Sequence, residues 1–142
     1  MEQPTITLST DKSKLDPSVI HDFLTTSYWA KGCSMDNVLR RIENALCFGV
    51  YADDKQVGFA RVITDKVTFA YIADVFILEN YRGQGLSKQL MAYIMAYPDL
   101  QNLRRWLLAT QDAHGLYAQF GFAPLSNTQN WMDIMNPNAY LV

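Results

Sequence analysis

Cysteine is scarce in this sequence: Cys33 and Cys47 are the two in 142 residues. That is too few for a disulfide framework, and their spacing is not that of a metal site. Both are read as packing residues. A basic excess is also missing. Twelve Lys and Arg against fourteen Asp and Glu leave a net charge of −2, which argues against the broad positive field of a nucleic-acid binder. No uncharged apolar run approaches the roughly 18 residues of a membrane span. The opening MEQPTITLST has neither the basic start nor the apolar core of a secretory leader. No repeat, low-complexity tract or Pro/Gly/Ser linker divides the chain. What is present is 49% hydrophobic and 18% charged, a globular composition. The expectation is one domain over residues 1–142, cytoplasmic, with reduced thiols and no metal, nucleic acid or membrane partner.

The pattern along the chain alternates between two periods. TITLS at 5–9 has the alternation of a short strand. Asp16-Pro17 reads as an N-cap with proline at the first helical position, leading into SVIHDFLTTSYW. SMDNVLRRIENAL predicts a second helix, capped by Ser34, with Met35, Val38, Leu39, Ile42 and Leu46 on one face. CFGVYAD, QVGFARVIT and VTFAYIADVFIL are rich in β-branched and aromatic residues and are separated by short turns, an antiparallel meander. Leu86, Leu90, Met91, Ile94 and Met95 form a helical stripe, and LRRWLLAT is a further strand. DAHGLYAQFG predicts a short helix capped by Asp112 and stopped by Gly121, and NWMDIM a closing strand. The order is β-α-α-β-β-β-α-β-α-β. The strand–helix–strand unit in the second half implies some parallel pairing. The fold class is therefore α/β (α+β mixed): a mixed, largely antiparallel sheet flanked by helices.

Between the longest apolar strand and the third helix lies ENYRGQGLSKQLM, with no acidic residue from Tyr81 to Met91. The phosphate-loop pattern G-x-x-x-x-G-K-[ST] is absent. The dinucleotide pattern G-x-G-x-x-G fails at Lys88, and the antiparallel run upstream does not suit it. A helix start offers unpaired N–H groups and positive potential. Glycines let the backbone close on a bulky anion, and Arg82 adds a charge with several donors. A diphosphate fits such a loop, though an ordinary turn before a helix would carry the same letters.

ENYRGQGLSKQL resembles the acyl-CoA-binding motif of the GNAT N-acetyltransferase family: Arg or Gln, two residues, Gly, one residue, Gly or Ala. Arg82 and Gly85 match, and Ser87 stands where the family has Gly or Ala. AHGLYAQFGF at 113–122 is similar to the family's later motif, a tyrosine four residues before Gly-Phe. The derived strand order is also that of the family. The resemblance implies acetyl-CoA as cofactor. Its diphosphate would be held at Arg82, Gly83, Gln84, Gly85, Leu86, Ser87 and Lys88, and its pantetheine arm along Val75, Phe76 and Ile77. A backbone N–H in that strand would polarise the thioester.

Direct acyl transfer needs a neutral amine and a proton for the departing thiolate. Periodicity makes Tyr117 a core aromatic; the resemblance makes it the catalytic acid. Asp74 is the one charged residue between Val67 and Leu78, and two readings stay open: a base with a raised pKa, or a structural carboxylate satisfied by Arg61 or a backbone donor. Some family members carry a glutamate earlier on this strand, where Tyr71 and Ala73 stand here, so proton removal through water is a third course. His114 and His21 are read as surface residues. Tyr28 and Trp29 wall an acceptor pocket or simply cover the core. Arg61 anchors a substrate carboxylate or pairs with an aspartate, and Tyr71 crowds the acceptor side. The expected activity is acetyl transfer to a small-molecule primary amine by a monomer or homodimer. The alternatives are an acyl-CoA sensor without catalysis and a protein N-acetyltransferase.

Overall fold

The computed structural model describes residues 2–140. Its frame is a five-stranded sheet in the order β1-β2-β3-β4-β5. The strands β1 (Ile6–Ser9), β2 (Leu46–Ala52), β3 (Lys55–Thr64) and β4 (Phe69–Ile77) pair antiparallel in succession. The last, β5 (Arg105–Leu108), runs parallel to β4. The parallel step is possible because helix α3 (Leu86–Met95) supplies the crossover from β4 to β5. Tight turns separate the meander strands. Asp53 and Lys66 take positive φ there, and the Asp65 carboxylate accepts from the amides of Val67, Thr68 and Phe69.

Alternation on β3 and β4 divides the core in two. Phe59 and Phe76 pack with Ile20, Leu24 and Val38, from α1 (Pro17–Leu24) and α2 (Met35–Glu43). Ala60 and Ile77 belong instead to the cluster with Leu86, Leu90, Met91 and Ile94 of α3. Helices α1 and α2 begin as their sequences predict. Asp16 accepts from the amides of Ser18 and Val19, and Ser34 from that of Asn37. Cys33 and Cys47 are free and buried, and burial pushes the Cys47 thiol up to about 11. Among the described residues, no helix is long and apolar enough to cross a membrane.

Five expectations fail, each for a local reason. Helix α1 stops at Leu24, because the hydroxyls of Thr26 and Ser27 bond back to the carbonyls of Phe23 and Leu24. On α2 the expected stripe fails at two positions: Leu39 is 47% exposed and Leu46 lies beyond the helix as the first residue of β2, while the half-buried Arg41 takes a place on the inner face. Helix α4 (His114–Ala118) is not capped by Asp112; the Thr110 hydroxyl accepts from the Ala113 amide instead. His21 is not a free surface residue, since its Nε2 lies 3.0 Å from the Cys33 carbonyl. The segment NWMDIM forms no strand, and Met132 and Ile134 stand fully in solvent.

Candidate active site

The pairing of β4 with β5 runs from Phe69–Arg105 to Ile72–Leu108 and ends there, while β4 continues to Ile77. At that point β4 also changes course. Phe59 faces Phe76 and Arg61 faces Ala73, so Ala60 alone opposes both Asp74 and Val75. This is a β-bulge, and Asp74 within it takes φ +55°. Aspartate tolerates the left-handed region better than most residues. The strands part into a cleft in which, among the described residues, the β5-facing edge of β4 past Ile72 has no strand partner.

The cleft holds a cavity of about 300 Å³. One wall is β4, with Tyr71, Asp74 and Val75. The opposite wall is formed by Leu108, Asp112 and Tyr117, and Tyr28 and Trp29 from the α1–α2 loop close the side. The Tyr28 hydroxyl accepts from the Gln111 amide at 3.2 Å, so the two sides meet across the mouth. Tyr117 is buried, and its ring meets Phe122 edge-on at 6.0 Å. Burial, with smaller contributions from Tyr28 and Asp112, pushes its phenol up to about 12. His114, one turn earlier, is exposed, as its sequence position suggests.

Asp74 is fully engaged. Its Oδ1 accepts from Trp29 Nε1 at 2.9 Å and from Arg41 Nη1 at 3.1 Å. Its Oδ2 accepts from Arg41 Nη1 at 3.0 Å and Arg61 Nε at 2.7 Å. The side chain is 1% exposed. Two guanidiniums and an indole thus satisfy a carboxylate whose burial alone would be costly. Of the two readings of Asp74, the geometry is that of the structural carboxylate, and Arg61 serves as its partner rather than as a wall of the cavity. The sequence reading assigned Arg41 nothing, yet it completes the cluster. It also bonds Asn37 through Nε at 2.6 Å and lies 5.0 Å from the Tyr140 ring centroid. The signal was present: Val38, Arg41 and Ile42 fall at the spacing of a buried helical stripe.

Val75 borders the cavity, whereas the side chains of Phe76 and Ile77 are buried in the two cores; Phe76 stacks on Phe23 at 4.2 Å. Any contact of these two with a ligand would therefore run through the backbone. Beyond Ile77 the glycine loop turns into α3. Gly83 and Gly85 both have φ +78°, and a Cβ at either would meet nothing within 4 Å. The positive φ is what demands glycine here, and it leaves the backbone bare toward solvent. Helix α3 has no acidic residue in its first turn and no side-chain cap on its amides. Arg82 is tethered by its Nε, which donates to the Ile77 carbonyl at 2.9 Å. Leu86 is buried, so it anchors the helix start, while Gln84 and Lys88 are exposed.

A sequence model of the Acetyltransferase (GNAT) family matches residues 16–122, three-quarters of the chain and all of this cleft. The chain belongs to the GNAT acetyltransferase family. A crystal structure of another GNAT-family protein, from Xanthomonas campestris pv. campestris, is similar at 49% identity and a TM-score of 0.94, over 99% of this chain and 100% of that one. A protein of Gibberella zeae named as an acetyltransferase is 29% identical across 79% of this chain and 75% of its own length. A Clostridium acetobutylicum acetyltransferase solved with acetyl-CoA shares the fold at 14% identity and a TM-score of 0.68, over 92% of this chain and 96% of that one. Among GNAT proteins acetyl-CoA is the general acyl donor.

Proposed function

We propose that this GNAT protein is an acetyl-CoA-dependent N-acetyltransferase that moves the acetyl group directly to the primary amine of a small molecule. The observation that carries the reading is the parting of β4 and β5. It leaves an unpaired strand edge that leads from a cavity containing Tyr117 to an uncapped helix start.

The residues fit coenzyme A. The amides of Gln84, Gly85, Leu86, Ser87 and Lys88 would hold the diphosphate at the α3 N-terminus, Gly83 would let the loop close, and Arg82 would add charge. Small but not glycine, Ser87 supplies its amide like its neighbours. Backbone groups of Val75, Phe76 and Ile77 pair with the amide-bearing pantetheine arm as a strand would. The cofactor supplies the activated thioester. Everything else falls to the chain. The freed edge of the bulge would offer an N–H to the carbonyl oxygen of the thioester. Tyr117 would donate its phenolic hydrogen toward the thioester sulfur. Burial keeps that phenol protonated, and a hydrogen bond in a water-poor cleft is stronger than in bulk. Because both Asp74 oxygens are committed, the amine gives its proton to water rather than to a dedicated base.

Calorimetric titration with acetyl-CoA, against ATP and NAD, tests the reading. Selective micromolar binding, followed by thiol release only when an amine is added, is the expected result. Failure of a folded protein to bind acetyl-CoA removes it, and amine-independent thiol release removes the transfer step.

A further inference from the structure

Resting on that reading, we infer the acceptor's chemistry: a primary amine carried on an apolar or aromatic body that bears no acidic group. The cavity's acceptor side is built from the rings of Tyr28, Trp29 and Tyr71. Its charged lining residues, among those described, are the acids Asp74 and Asp112; no Lys, Arg or His lines it. Arg41 and Arg61 stand behind Asp74, and each is bound to it. A substrate carboxylate or phosphate would enter without a cationic partner in the cavity to replace its water, and it would face the Asp112 carboxylate. An uncharged body has no such charge-desolvation cost, and the cost for a cationic one is offset by the Asp112 carboxylate. Either gains apolar burial and contact with three aromatic rings.

Trp29 is the specificity-determining residue in this arrangement, and Asp74 is its positioning residue. The indole is held from two sides. Its N–H donates to Asp74 Oδ1 at 2.9 Å, and its ring meets Tyr28 edge-on at 5.0 Å. Tyr28 is tied in turn to the Gln111 amide. A tryptophan otherwise 36% exposed on a loop is thereby fixed as a wall. The buried ion cluster thus has a consequence at the surface: it sets where the wall stands, with its two guanidiniums kept out of the cavity lining.

The test uses two probes with one body, phenethylamine and phenylalanine, which differ by a carboxylate. Each is titrated calorimetrically into the full chain, with and without coenzyme A, and acetyl-CoA is titrated separately. Phenethylamine is expected to bind at least tenfold more tightly than phenylalanine. In Trp29→Ala that preference should fall at least fivefold through weaker phenethylamine binding, while acetyl-CoA affinity stays within twofold. Trp29→Phe, which keeps a ring but loses the tether to Asp74, should lie between. Equal or reversed affinities, no phenethylamine binding, or an unchanged preference in Trp29→Ala would each overturn the inference. Failure of acetyl-CoA to bind while phenethylamine retains its preference would strike the acyltransferase reading and leave the acceptor chemistry standing.

Discussion

Asp74 and Tyr117 both border the cavity, and their surroundings give them opposite characters. Asp74 is anchored by Arg41 and Arg61 at 2.7–3.0 Å with a side chain 1% exposed. Removing its charge leaves two guanidiniums without their counterion, so Asp74→Asn is expected to cost about 3 kcal/mol of stability, as other buried pairs do when one partner is lost. Urea denaturation measures this; a change under about 0.5 kcal/mol would mean the cluster does not hold the fold. The Tyr117 pKa, near 10 when unfolded, is pushed up to about 12, chiefly by burial. The folded state therefore favours the neutral phenol. Its stabilising effect is complete below pH 10 and is lost between about pH 10 and 12. Through the working range the acid keeps its proton, so kcat/KM should rise as the amine deprotonates and show no falling limb below about pH 10. Tyr117→Phe should lower kcat by roughly 10²-fold, the usual scale for a general acid, with acetyl-CoA affinity nearly unchanged. A falling limb between pH 7 and 9 in the parent would assign the acid to another group.

The elements show which features a sequence exposes and which it hides. The meander β2–β4 is legible because each strand is a dense run of β-branched and aromatic residues broken by turn-forming aspartates, and the helix starts are legible because capping is local. The Asp74 cluster is not. Arg41 lies 33 residues from Asp74 and Trp29 lies 45 away, and nothing local announces such pairings. The bulge is hidden for the same reason, since it depends on the register of two strands. NWMDIM misleads in the opposite direction: a short apolar run marks a segment able to be a strand, but a strand also needs an edge to join. The glycine loop lies between these cases, readable as a turn while its ligand remains a proposal. Gly85→Ala separates the two. With φ +78° and no neighbour within 4 Å of a new Cβ, the substitution costs conformational strain alone, about 1 kcal/mol. If the loop holds a diphosphate, acetyl-CoA should also bind roughly tenfold more weakly, about 1.4 kcal/mol. A stability loss with unchanged acetyl-CoA affinity would reduce the loop to a turn.

At the scale of the whole molecule, the packed body and the chain after residue 130 obey different rules. Helices and sheet bury their apolar residues in two cores, yet Met132, Ile134 and Met135 are 96%, 102% and 77% exposed within four positions. Two aromatic contacts flank this stretch: Trp131 lies 4.7 Å below the Arg105 guanidinium, and Tyr140 lies 5.0 Å from that of Arg41. The energetics should follow the contacts rather than the hydropathy. A side chain exposed in both folded and unfolded chains changes little on replacement, so Met132→Ser, Ile134→Ser and Met135→Ser should each shift the unfolding free energy by less than about 0.5 kcal/mol. Trp131→Ala should cost more, about 0.5–1 kcal/mol for an exposed cation–π contact. Urea denaturation at two protein concentrations checks both. Losses of about 2 kcal/mol or more from the methionine and isoleucine variants would show that these side chains are covered in solution. A concentration-dependent loss would assign the cover to a second copy, and a concentration-independent one would mean that the segment packs on its own chain after all.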